Sequence, residues 1–96
     1  MEGYIRRATY YINTGAEADV ALAEEDIKKA EEVSAKKDEA HYQIAKLIHS
    51  YVVNTEADKR QKGWDYERAL SEVNQALEAA QEPIYYQLQG DIYFAM

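Results

Sequence analysis

Ala69-Leu70-Ser71-Glu72-Val73-Asn74-Gln75-Ala76 is the stretch on which the fold turns. It sets a small residue, a β-branched one four later and a small one three later on the same side of a helix. Ala23-Glu24-Glu25-Asp26-Ile27-Lys28-Lys29-Ala30 repeats that spacing 46 residues upstream. Small side chains at these steps let a second helix come close, while Ile27 and Val73 fill the groove between the two axes. Two such segments predict an all-α chain built from antiparallel helical hairpins.

Working outward, residues 3–13 place Tyr4, Ile5, Ala8, Tyr11 and Ile12 on one face, and Gly15 is suited to end that helix. The second helix is expected over about 16–36, with Val20, Ala23, Ile27 and Ala30 as its apolar stripe. Glu24 with Lys28, Glu25 with Lys29 and Glu32 with Lys36 form acid-before-base pairs along a solvated face. A third helix opens at Asp38, expected as its N-cap, and carries Ala40, Ile44, Leu47, Ile48, Tyr51 and Val52. Asn54-Thr55 offers a stop, but the residues beyond favour a longer helix that frays through Lys59-Arg60-Gln61-Lys62 before Gly63. The fourth helix spans 65–81, and Pro83 opens a fifth that is apolar nearly all round.

Ninety-six residues suffice for a single domain over 1–96 with one modest core, or for part of a longer array. Eleven basic against eighteen acidic side chains give a net charge of −7, which repels phosphate backbones and argues against nucleic acid as a partner. The absence of cysteine excludes disulfides and thiolate chemistry and fits a cytoplasmic location. The opening residues lack the apolar run of a signal peptide, and no stretch approaches the roughly 20 apolar residues that span a bilayer. No membrane association is expected.

Asp65-Tyr66-Glu67-Arg68-Ala69-Leu70, followed by Val73, Ala76-Leu77 and Pro83, resembles the second helix of a tetratricopeptide repeat. Tyr86, Gly90 and Tyr93 resemble the aromatic, small and tyrosine positions of the next repeat's first helix, and Ile44, Ala45 and Ile48 fit the same frame upstream. The proline falls two residues late, and the link between the third and fourth helices exceeds the 34-residue period by about twelve residues. The resemblance implies an α-α superhelix of about five helices, against the alternative of a plain antiparallel bundle. It also implies a concave groove presenting Glu39, Tyr42, Lys46 and His49 from the third helix, and Ile84, Gln87 and Asp91 from the fifth. Family members that clamp a chaperone's terminal carboxylate use basic residues where this chain has Tyr42, Ile84 and Leu88, so a different ligand is implied.

Chemistry is sparsely signalled. His41 and His49 lie eight apart, so their directions differ by roughly 80°, and neither stands at metal-ligand spacing from the other. No phosphate loop, nucleophile elbow or nucleotide fingerprint occurs, so neither catalysis, a metal nor a cofactor is expected. Nine tyrosines suit both packing and interfaces. Tyr86, Tyr93 and Phe94 on the last helix form an apolar flank expected to support self-association. The expected function is binding of a protein or peptide partner as a scaffold or adaptor. A structural spacer or oligomerisation segment is the alternative.

Overall fold

A computed structural model describes residues 2–14 and 17–96 of the chain. It contains five α-helices and, among the described residues, no strand: α1 Glu2–Thr14, α2 Glu17–Val33, α3 Lys37–Val53, α4 Tyr66–Ala79 and α5 Pro83–Ala95. A single 3-10 turn, Ala57–Lys59, interrupts the link before α4. Helix α1 packs along α2 and α3 along α4, while α5 lies against α4 and touches α3. Helices α1 and α3 also meet, as do α2 and α3, which joins the two hairpins into a slab of 35 × 31 × 16 Å.

The small residues are where the axes come together. Ala23, Ala30, Ala69 and Ala76 are fully buried, and Ala23, Ala69 and Ala76 share one continuous core with Ile27 and Val73. Ala8, Ala40 and Ala45 are equally enclosed. A core floored by alanines permits close interhelical approach, and the large aliphatics Ile44, Ile48, Val52 and Ile92 supply the apolar area.

Among the described residues, one charged side chain sits inside. Asp26 is 2% exposed and is gripped by Arg7, whose Nε and Nη2 donate to its two carboxylate oxygens at 2.9 and 2.6 Å. This two-pronged contact ties α1 to α2, and the guanidinium hydrogen bonds hold the Asp26 carboxyl below its usual range against the opposing effect of burial.

Several local expectations are corrected. Helix α3 does not run on towards Gly63 but stops at Val53, where Asn54 caps it and donates from Nδ2 to the carbonyl oxygen of Ser50 at 2.8 Å. The excess residues form a loop pinned to the core by Trp64, which is 2% exposed and meets Tyr51 edge-on with ring centres 5.1 Å apart. The Tyr51 hydroxyl accepts the Gln61 backbone N–H at 2.8 Å, and Gly63 takes φ +85° to turn the chain into α4. A buried tryptophan with a backbone anchor outweighs the helix propensity of the intervening residues.

Asp38 is not the cap of α3: the helix begins at Lys37, and Asp38 lies in its first turn. Asp65 does cap α4, accepting the Arg68 backbone N–H at 2.8 Å, and Pro83 occupies the first turn of α5. None of the three acid-before-base pairs of α2 closes into an ion pair. Glu24 turns instead to Arg68 on α4, with one contact at 2.8 Å. The stop expected at Gly15 lies outside the described residues.

Candidate functional site

Helices α1, α3 and α5 line three adjoining shallow depressions. Between α3 and the start of α5 is a depression of about 350 Å³ bordered by Asp38, Glu39, Tyr42, Glu82, Ile84 and Tyr85. Tyr42 leads from it into a second, of about 270 Å³, bounded by Lys46, His49, Gln87, Leu88 and Asp91. Lys46 leads in turn into a third of about 250 Å³, where Ile5, Thr9 and Ile12 of α1 face Leu47 and Ser50 of α3. The three depressions adjoin one another, with Tyr42 and Ile84 shared by the first two and Lys46 by the second and third, in a trough divided by those side chains.

Each of the six residues expected to bind a partner, Glu39, Tyr42, Lys46, His49, Gln87 and Asp91, stands on this trough. The register follows from helix geometry. Residues 39, 42, 46 and 49 recur at three- and four-residue steps, so they share the α3 face opposite the buried Ile44 and Tyr51.

Aromatic and charged groups divide the trough into distinct parts. Tyr42 and Tyr85 stack with ring centres 5.1 Å apart and planes tilted by 34°. The buried Tyr85 hydroxyl donates to Asp38 Oδ2 at 2.7 Å. That bond holds the Asp38 carboxyl below its usual range, while burial, reinforced by Asp38, pushes the Tyr85 phenol up. Asp38, which sequence spacing assigns to helix capping, is therefore a positioning group for the aromatic shelf. His49 is half-buried beside the Tyr66 ring of α4, with ring centres 6.2 Å apart. Lys46 is exposed and makes no ion pair among the described residues.

The carboxylates of Asp38, Glu39, Glu82 and Asp91 on this surface face only Lys36 and Lys46 as full cations. The trough therefore combines an aromatic shelf with a predominantly acidic rim.

A second gathering of polar side chains lies on the other side of α3. His41 Nδ1 is 2.6 Å from Glu72 Oε2 of α4, and Glu31 of α2 approaches the same pair. Arg68 stands nearby, with Glu24 on its guanidinium and the Trp64 ring 5.2 Å from its central carbon. Sequence spacing gave no sign of this cluster, because its members come from three helices.

The residues expected to mediate self-association are exposed, at 49% for Tyr86, 57% for Tyr93 and 95% for Phe94. The buried side of α5 is Tyr85, Leu88 and Ile92. Gly90 has open space around it: a Cβ there would meet nothing within 4 Å. The basic residues Lys59, Arg60 and Lys62 belong to the loop. Arg60 there donates to the Thr55 carbonyl oxygen at 3.0 Å and lies over the Tyr66 ring.

No helix among the described residues is long and apolar enough to cross a membrane. Comparison with protein-family models, with curated proteins and with solved structures gives no match for the chain.

Proposed function

We propose that this chain is a protein-interaction module of tetratricopeptide-like design, without catalysis of its own, which receives a partner peptide in the trough formed by α1, α3 and α5. The observation that carries this reading is the adjacency of three depressions across α1, α3 and α5, with Tyr42 and Lys46 each shared between neighbours. The Tyr42–Tyr85 shelf offers apolar area at low entropic cost, and the acidic rim favours peptides with Lys or Arg beside an apolar anchor. A cytoplasmic setting accords with a cysteine-free chain.

Titration with a peptide library of varied charge, followed by NMR at Tyr42, Lys46 and Gln87, tests the reading. Saturable binding that weakens at least about tenfold in Tyr42→Ala, the loss expected when an aromatic anchor is truncated, supports it. Glu32→Gln on the solvated face of α2 leaves that binding unchanged. Absence of binding across the library refutes the module.

A second reading is favoured by one observation, the near-complete exposure of Phe94 beside Tyr93 on α5. On this reading α5 pairs with a second copy and the chain serves as an assembly segment or spacer. Sedimentation would then show a dimer that Phe94→Ser dissolves. A monomer at high concentration, unaltered by Phe94→Ser, eliminates this alternative.

A further inference from the structure

We infer that Glu31, His41 and Glu72 form a binding site for a divalent first-row transition ion of the Zn²⁺ type. Each residue supplies one ligand atom, and the three atoms lie within 4.8 Å of one another. In a tetrahedral Zn²⁺ site with bonds near 2.0–2.1 Å, neighbouring ligand atoms stand about 3.4 Å apart. Small rotamer adjustments therefore bring all three onto one ion, leaving a fourth position for water.

The donor set and its setting argue together. Two carboxylates and a neutral imidazole balance a 2+ charge, and the imidazole favours Zn²⁺ over Mg²⁺ or Ca²⁺, which prefer all-oxygen surroundings. The ligands come from α2, α3 and α4, and each is half-buried where those helices converge. Their spacing is thus fixed by the packing of the two hairpins rather than by one flexible segment.

The Glu31 carboxylate makes no hydrogen bond or ion pair among the described residues, while its backbone carbonyl oxygen accepts from Lys37 Nζ. The Glu31 carboxylate stands beside that of Glu72, so an added cation would bridge two like charges. The nearest guanidinium, Arg68, is engaged by Glu24. A bound ion would fasten the first hairpin to the second on the side of α3 away from the Tyr42 shelf.

The chain holds only two histidines and no cysteine, which keeps competing sites few. Calorimetric titration of the full chain with Zn²⁺ should therefore give one equivalent bound, with Mg²⁺ and Ca²⁺ giving none at the same concentration. Free Zn²⁺ at ten times its dissociation constant should raise the melting temperature by roughly 5–10 °C. Co²⁺ substituted at the site should show the visible absorption of a four-coordinate ion. Glu31→Gln and His41→Gln should each weaken Zn²⁺ binding more than tenfold while circular dichroism reports an unchanged fold, and His49→Ala should bind as the parent does. No Zn²⁺-dependent heat or melting shift at 1 mM, or affinity that survives both Glu31→Gln and His41→Gln, overturns the assignment. So does affinity lost in His49→Ala alone.

Discussion

Replacing Trp64 by alanine tests the reasoning about the α3–α4 connection most directly. The side chain is 2% exposed, so truncation uncovers or empties nearly all the area it occupies. An aromatic side chain buries about 150–250 Å², worth roughly 4–6 kcal/mol at about 25 cal/mol per Å². Measured tryptophan truncations in cores cost about 3–5 kcal/mol, because the site partly collapses. The edge-on contact with Tyr51 and the Arg68 guanidinium over the ring are lost as well, which favours the upper half of that range. For a chain of 96 residues, a loss of about 4 kcal/mol lowers the melting temperature by roughly 20 °C. Thermal melts followed at 222 nm provide the assay, since Trp64 is the only tryptophan and its fluorescence is lost with it. The parent protein should itself show a blue-shifted tryptophan emission that moves to the aqueous value on unfolding. A Trp64→Ala melting temperature within about 5 °C of the parent would refute the account, as would aqueous emission from the folded parent. The link would then be an ordinary surface loop.

Two further outcomes follow from the packing and the charge pairs. Ala69→Leu forces a branched side chain into a site with no exposure and should cost at least about 1–3 kcal/mol, read as a lower urea midpoint with an unchanged slope. Parental stability in that variant would mean that α4 does not approach its neighbours closely at Ala69. The Arg7–Asp26 pair sets an acid dependence: Asp26 has a lower pKa folded than unfolded, so its stabilisation is present above the unfolded value near about 3.9. It is lost as pH falls through the folded value. Urea titrations from pH 6 to pH 2 should show this loss in the parent and a flatter acid limb in Asp26→Asn. Identical acid limbs would remove Arg7–Asp26 from the account.

The sequence by itself determined the helices, because helix formation and its amphipathic face depend on residues three and four apart. Ala23, Ile27 and Ala30, with Ala69, Val73 and Ala76, identify the buried faces without reference to any partner. The same local geometry makes Glu39, Tyr42, Lys46 and His49 legible as one surface of α3. Tertiary structure alone decided the rest. The residues after Val53 have helix-forming character, yet the burial of Trp64 against Tyr51 holds them in a loop, a contact between segments that no local pattern encodes. Asp38 looks like a cap until Tyr85, 47 positions away, donates to it. Glu31, His41 and Glu72 have no meaningful spacing along the chain and meet only because three helix axes converge. Periodicity specifies which side of a helix is hidden, whereas the neighbour it is hidden against is fixed by the packing of the whole chain.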